Sequence, residues 1–530
     1  MPPSRRPRRS VFRSDARFPF ELFVRPFAAS DSVIRVTSTT FTHGNTIPVA
    51  TMSTTLNERY QLFIGGERVD SSGDEVLETI DPATEEPFAT VPAGTSEDVD
   101  RAVAAAREAQ PEWAAKKPTE RAEILRNVAA ALEEHAEDLA EVGTRDQGKP
   151  VSSSAGGAYG TASFFEYFAG AADKLEGKTI PVDEDTLDFT IREPYGVSGH
   201  IIPWNAPLAI IGQGVAPSLA AGNAAVIKPA PTTPLLALHF AELAREAGVP
   251  DGVINVVTGA TEPGVALSNH EDVDTISFTG SVPSGSAVMQ SAAKNITPVT
   301  LELGGKNPAV VFEDADLEEA VTNVQIGIFT NAGQVCAAAD RAIVHESIYD
   351  EFVERIVERA ESYELGPGME DPDMGPLNYE AHLESVLEYI QTGIEEGATL
   401  ETGGERLDRE GYFVEPTVFS DVTNDMTIAQ EEIFGPVLSV IPFSDREEAI
   451  EIANDVELGL TGGVFSQNIQ TALQTAREIE AGSIYVNQWF GGSAAVPFGG
   501  FKKSGVGREL GMEGLDSYLQ TKNVCVNLDD

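Results

Sequence analysis

From residue 195 onward, short β-branched runs alternate with longer stretches whose apolar residues recur every three to four positions. Strands are predicted at Gly196–Ile202, Ala224–Lys228, Val253–Val257, Thr275–Phe278 and Val299–Leu303, with helices between them such as Pro234–Ala247 and Ser284–Ala293. Strands separated by helices of about 10–15 residues predict βαβ units and a parallel sheet. The rhythm resumes over 309–480, with helices at Leu317–Phe329, Ile348–Tyr363, Leu383–Glu396 and Glu447–Ala453, which predicts a second α/β domain.

Upstream, Gln61-Leu-Phe-Ile-Gly-Gly-Glu-Arg-Val-Asp70 reads as two short strands around a Gly-Gly turn. Ser96 with Glu97 and Asp98 starts a helix that runs toward Gln110. Thr119–Glu120 opens another, whose Ile124, Leu125, Val128, Leu132, Ala136 and Leu139 share one face and which Gly143 ends. Helical spacing also covers Thr161–Lys174. Residues 177–194 alternate polar and β-branched side chains around Asp183-Glu-Asp185 and predict an exposed hairpin. Such an edge invites pairing with another subunit. The terminal Asn523–Asn527 also alternates and is expected to join the hairpin as a third strand, whereas Gly-rich 491–507 is expected to be a long loop.

Composition sharpens this picture. A chain of 530 residues exceeds a single core, since cores stop growing near ~250–300 residues. No run of about 18 apolar residues occurs, so no membrane span is expected. Two cysteines make no disulfide framework and point to a reducing, cytoplasmic setting. The seven histidines show no metal-ligand spacing, so no catalytic metal is expected.

The net charge is −48. Residues 1–51 carry eight arginines, no lysine and three acids, or +5, which leaves −53 for residues 52–530. The arginine-rich segment has no helical or strand period and no apolar core after Arg8–Arg9. It is expected to be a disordered or non-native extension, with the acidic protein starting at Met52. A surface this acidic repels nucleic acid and anionic membranes. It suits molar salt, where charge repulsion is screened within ~3 Å.

Four segments and one cysteine carry candidate chemistry. Phe278-Thr-Gly-Ser-Val-Pro-Ser-Gly285 follows a strand and opens a helix, an arrangement that can receive a phosphate but also serves as a plain strand–turn–helix corner. Lys228 ends a strand, where ligands of open parallel sheets bind. Glu302, in Leu301-Glu-Leu-Gly-Gly-Lys306, stands in an apolar strand end that would raise its pKa toward general-base use. Asn205, in Ile202-Pro-Trp-Asn205, could offer an amide to an oxyanion. Cys336, in Phe329-Thr-Asn-Ala-Gly-Gln-Val-Cys336, is a useful nucleophile only as thiolate.

Taken with Glu431-Glu-Ile-Phe-Gly-Pro-Val437, these motifs occur in the order and spacing of the aldehyde dehydrogenase superfamily, which the chain resembles from about Tyr60 to Asn527. The resemblance implies that Cys336 is the nucleophile, that its N–H and the Asn205 side chain form the oxyanion hole, and that Glu302 is the general base. It implies NAD or NADP as cofactor, with Lys228 at the adenosine ribose, Gly280 and Ser281 at the pyrophosphate, and Glu432 and Phe434 at the nicotinamide ribose. Pro203 and Trp204 would line the cofactor cleft. Ala206, Gln213, Thr330, Phe490 and Phe498 would line the aldehyde tunnel. The implied partners are a small aldehyde and further copies of the chain, as a homodimer or homotetramer.

Two positions depart from that pattern. Gly214 stands where many members carry a lysine, which leaves Glu509, a match to a second carboxylate used in proton relay, without its partner. Pro231 replaces a Glu that many NAD-preferring members carry and that would repel a 2′-phosphate, so the resemblance does not exclude NADP. Thr330 stands where members acting on succinate semialdehyde place an arginine, which argues against a short semialdehyde acid. The alternatives are a CoA-acylating dehydrogenase, which typically lacks the base at 302, and a binding protein that kept only the fold.

The expected organisation is α/β: a Rossmann-like cofactor domain over 57–176 and 195–303, a catalytic domain over 304–504, and an oligomerisation arm from 177–194 and 505–530, preceded by the extension 1–56.

Overall fold

The computed structural model describes residues 56–529, so the expectation for residues 1–51 lies outside the described residues. Two sheets dominate. The first has eight strands in the order Glu67–Val69, Leu62–Ile64, Ile254–Val256, Ala224–Lys228, Val197–Ile201, Thr275–Thr279, Val299–Glu302 and Gly505–Val506. Its five inner strands are parallel and its ends antiparallel. Among these five, the first in sequence, Val197–Ile201, lies between the second, Ala224–Lys228, and the fourth, Thr275–Thr279. The winding direction therefore reverses beside Ile201 and Thr279, and a crevice opens beyond their carboxyl ends.

The second sheet has seven strands in the order Thr399–Thr402, Thr417–Ser420, Val437–Phe443, Arg341–His345, Pro308–Val311, Thr461–Phe465 and Ser483–Val486, all parallel except the first pair. Apolar clusters cover both faces of each sheet. That two-sided burial is why the inner strands read as continuous apolar runs.

Leu303–Asn307 carries the chain from one sheet to the other. It leaves the carboxyl end of Val299–Glu302 and enters the amino end of Pro308–Val311. A third, antiparallel sheet pairs Leu519–Asn527 with Thr186–Pro194 over nine residues, and Thr179–Ile180 completes it, as the alternation predicted. Residues 505–506 belong to the eight-stranded sheet rather than to this arm.

Three local differences from the sequence reading have physical causes. The helix from Ser96 runs on through Pro111 to Ala115 because Trp113 in its last turn is fully buried and donates its indole N–H to Leu219 O at 3.1 Å. Thr95 and Asp98 cap its start reciprocally. The single helix expected from Thr119 to Gly143 is two, Pro118–Glu134 and Ala136–Gln147, broken at His135. Gly143 lies inside the second, where a Cβ would press on Leu236 at 3.1 Å, and Gly148 in the left-handed region ends it. The 491–507 segment is not wholly loop, since Phe501–Lys502 and Gly505–Val506 pair with neighbouring strands.

Trp113→Ala should cost about 3–5 kcal/mol through the cavity it leaves. Urea unfolding followed by tryptophan fluorescence and circular dichroism checks this, and an unchanged midpoint would contradict the packing described.

Candidate active site

The carboxyl edge of the first sheet faces the amino edge of the second across Leu303–Asn307. Pro203, Trp204 and Asn205 follow Val197–Ile201, while Gly280 and Ser281 follow Thr275–Thr279. These two groups of residues therefore leave the sheet on either side of the reversal point. Glu302 ends Val299–Glu302, Cys336 lies in the turn before Arg341–His345, and Glu432 lies in the loop before Val437–Phe443.

The Cys336 turn is held by side-chain amides. Asn331 and Ala332 both sit in the left-handed region, φ 54°, and Asn tolerates that region better than most residues. Gln334 donates to Asn331 O at 2.8 Å and accepts the Asn378 N–H at 2.9 Å. Asn205 donates through Nδ2 to Gln334 O at 3.0 Å, which places its amide two residues from Cys336. Asn307 donates to the carbonyl oxygens of Cys336 and Ala338 at 2.9 and 2.8 Å. At Gly305 a Cβ would lie 2.3 Å from Cys336 O, so only glycine lets the crossing segment pass the turn.

Electrostatics in the cleft follow from burial. Burial pushes the Cys336 thiol up to about 12, helped by the nearby Glu432 and Glu302 carboxyls, while the backbone N–H groups of Cys336 and Ala337 pull the other way. Glu302 is held well above the ordinary carboxylate range by burial and then by Glu509, with Arg508 opposing. Neither of its carboxyl oxygens has a hydrogen-bond partner among the described residues. Glu432 is raised to about 8 by burial and by Asp340; its Oε1 accepts the Gly305 N–H at 3.1 Å. A Cβ on Gly304 would lie 2.0 Å from its Oε2.

The residues expected at a cofactor form a graded set. Lys228 is buried without an ion pair among the described residues, and burial lowers its ammonium to about 8. Gly264 lies against its stem, where a Cβ would meet Lys228 Cδ at 3.9 Å, an ordinary contact. Ser281 caps the helix Val282–Ala292. A buried cation without a counter-ion and a helix N-terminus, both beyond the carboxyl ends of strands of the first sheet, fit a ligand with hydroxyl and phosphate groups. Trp204 and Phe434 meet edge to face at 5.3 Å, and Phe434 has φ 59°.

The five tunnel candidates are scattered in character. Ala206 precedes the helix Pro207–Ala221 and Gln213 is half-buried on it. Thr330 is exposed at the end of Leu317–Phe329. Phe490 is exposed and edge-on to Trp489, which donates to Ala337 O at 3.0 Å. Phe498 exchanges backbone hydrogen bonds with Glu509 at 2.7 and 2.8 Å.

Several residues of the cleft escaped the sequence reading. Gln147 donates to Asn331 Oδ1 at 3.0 Å, and Lys149, lowered to about 8 by burial, lies 3.5 Å from Asn205 O. His382 donates through Nε2 to Phe434 O at 2.9 Å and lies against Trp204. Only Asn331 carried a usable signal, a residue tolerant of positive φ flanking Ala-Gly. Among the described residues there is no cluster that could hold a metal ion and no helix long and apolar enough to cross a membrane.

The model of the aldehyde dehydrogenase family matches residues 69–524. The chain is 48% identical over 471 residues to aldehyde dehydrogenase 1 of Tanacetum cinerariifolium, covering 88% of this chain and 94% of that protein. It is 46% identical over 475 residues to the mitochondrial aldehyde dehydrogenase family 2 member B4 of Arabidopsis thaliana, covering 88% of each. Among solved structures, an NAD+ complex of aldehyde dehydrogenase from Bacillus cereus superposes with a TM-score of 0.88 at 46% identity, covering 89% of this chain and 98% of that one.

With its thiol near 12, Cys336 should react with iodoacetamide slowly at pH 7 and about tenfold faster per pH unit up to pH 10. Peptide mass spectrometry separates it from the exposed Cys525. A plateau below pH 9 would contradict burial as the controlling influence.

Proposed function

The chain belongs to the aldehyde dehydrogenase family, and on that premise we infer that it oxidises an aldehyde to a carboxylic acid through a thioester on Cys336 that Glu302 helps to hydrolyse. The observation that carries this reading is the Glu302 carboxyl, buried without a hydrogen-bond partner among the described residues and close enough to Cys336 to disfavour its ionisation. A carboxyl kept from solvent and from partners is poised to take a proton.

Lys228 and the Gly280–Ser281 helix start would hold the dinucleotide, with Glu432, Phe434, Pro203 and Trp204 bordering its nicotinamide half. When bound, this group, NAD or NADP, supplies the hydride acceptor. Pro231, beyond Lys228, is exposed and carries no charge to oppose a 2′-phosphate. The parts of the chain acting on substrate are then as follows. Cys336 gives its thiol proton to solvent as its sulfur bonds to the aldehyde carbon, and the aldehyde hydrogen then leaves as hydride so that the thioester remains. The Asn205 amide, which keeps one N–H beyond that given to Gln334, and the Cys336 N–H hold the oxyanion, an interaction worth roughly 3–4 kcal/mol per donor. Glu302 takes a proton from water as that water attacks the thioester, and the acid and the thiol are released. Ala206, Gln213, Thr330, Phe490 and Phe498 are proposed to shape access for the aldehyde.

In this reading the first sheet and its helices, 57–176 with 195–303, form the cofactor domain and 304–504 the catalytic domain. The antiparallel arm exposes Ile180, Val182, Leu187 and Val526, and an apolar edge of this kind suits docking on another copy of the chain as a dimer or tetramer. The strongly acidic composition fits a protein of the cytoplasm at high salt.

Cys336→Ala should abolish turnover while leaving cofactor binding intact, measured by fluorescence titration with NADH. Glu302→Gln should slow steady turnover by about 100-fold or more while sparing the pre-steady-state burst of reduced cofactor. Equal loss of both phases would refute the assigned base. For the charge, the unfolding temperature should rise between dilute buffer and several molar KCl, and equal midpoints would remove the adaptation to salt.

A further inference from the structure

The loop before Val437–Phe443 touches two other parts of the cleft, and the mechanism above leaves open what holds it there. Glu432 lies along Gly304 and Gly305, and its Oε1 accepts the Gly305 N–H at 3.1 Å. Three residues on, the Gly435 carbonyl abuts Gly333 of the Cys336 turn, where a Cβ would lie 2.0 Å from it. Between them Phe434 is held at φ 59°, a conformation that residues with a Cβ seldom adopt unless their surroundings impose it.

The restraint comes from the helix Glu380–Glu396. His382 and Val386 stand four residues apart and share its buried face. His382 Nε2 lies 2.9 Å from Phe434 O, a carbonyl with no other hydrogen bond among the described residues. A carbonyl oxygen only accepts, so the ring proton sits on Nε2. Val386 meets the next residue of the loop, since a Cβ on Gly435 would lie 2.7 Å from its Cγ2. One helix face therefore grips two successive loop residues, the first by a hydrogen bond and the second by close packing. The His382 ring also lies against Trp204 and Tyr379, with centroids 5.2 and 5.5 Å away. Burial pushes the imidazole down to about 4, and its place in the first turn of the helix also disfavours a positive charge. The ring is thus neutral at working pH, with one N–H to give.

We propose that His382 is a positioning residue for hydride transfer: its bond to Phe434 O fixes the left-handed turn of the loop and so keeps Glu432 on the crossing glycines, at the nicotinamide half of the cofactor. The inference rests on the reading of Glu432 and Phe434 as borders of that half. His382 acts through these two residues and not on the reacting atoms. Without its N–H, the Phe434 carbonyl loses its partner and rotates toward water, and the loop carries Glu432 away from Gly305. The Cys336 turn keeps restraints of its own from Asn307, Gln334 and the Asn378 N–H, so the chemistry of the thiol is separable from this loop.

Two variants of the full-length enzyme separate the bond from the ring. His382→Gln keeps an N–H near the Nε2 position without the ring, and His382→Phe keeps a ring of similar size without the donor. Hydrogen exchange of residues 431–437 in the cofactor-free protein, read by peptide mass spectrometry, should rise about tenfold in His382→Phe and less than about threefold in His382→Gln. The pre-steady-state burst of reduced cofactor should slow by about 10- to 100-fold in His382→Phe and by less than about threefold in His382→Gln. Hydrolysis of p-nitrophenyl acetate needs the thiol and a base but no hydride transfer, and it should change less than about twofold in both. Greater losses in His382→Gln than in His382→Phe, equal losses in the two, or no change in either would overturn the proposal. So would ester hydrolysis falling as far as the burst. Because exchange needs neither cofactor nor turnover, it judges the hold on the loop by itself. Faster exchange in His382→Phe with an unchanged burst would leave that hold standing and refute the role read for Glu432.

Discussion

Removal of water from charged groups is the constraint on which this molecule turns. The cleft between the sheets contains a thiol, three carboxyls and several lysines, yet few are paired with an opposite charge. Burial drives each toward its neutral form: Cys336 and Glu302 upward, Glu432 to about 8, and Lys149, Lys228 and Lys306 down to about 8. Unpaired buried charge is expensive. The fold meets that cost with its two apolar layers, and the result is a set of groups that change protonation easily when a ligand alters their surroundings.

The cleft is built by close backbone approach as much as by side chains. Gly304, Gly305 and Gly333 each lie where a Cβ would come within 2.3 Å of another group: Glu432, the Cys336 carbonyl and the Gly435 carbonyl. Side-chain amides then do what strands do elsewhere. Asn205, Asn307, Asn331 and Gln334 satisfy carbonyl groups of a turn that has no regular ladder of its own, and the Gln334 side chain also accepts the Asn378 N–H. A reactive residue on such a turn is fixed without being enclosed in a helix or strand.

Much of this was legible in the sequence, for reasons that differ by element. The strand Ala224–Lys228 and the helix Leu317–Phe329 have the bounds that their patterns indicate, because each is framed by Pro, Gly or a capping Asp. The helix Pro207–Ala221 had no readable bounds, since it is apolar nearly all round and buried on most sides, and so lacks a period. His135 gave no sign that it would split a helix. Asn205, Glu302 and Cys336 were picked out through motif order, whereas Lys149 and His382 were not, because a lone basic residue is indistinguishable from a packing residue until its neighbours are known.

The crossing from Glu302 to Asn307 has one further consequence. A carboxyl begins it, two glycines thread it past the Cys336 turn, and an asparagine at its far end holds the Cys336 carbonyl. The segment is thus a ruler: its residue count sets how far one sheet's last side chain stands from the other sheet's turn. Surface loops elsewhere can lengthen at an entropic cost that grows only slowly with length. Here one inserted residue would displace Glu302, the glycines and Asn307 from their counterparts together, so variation in chain length belongs to the periphery of this molecule and not to its crossing.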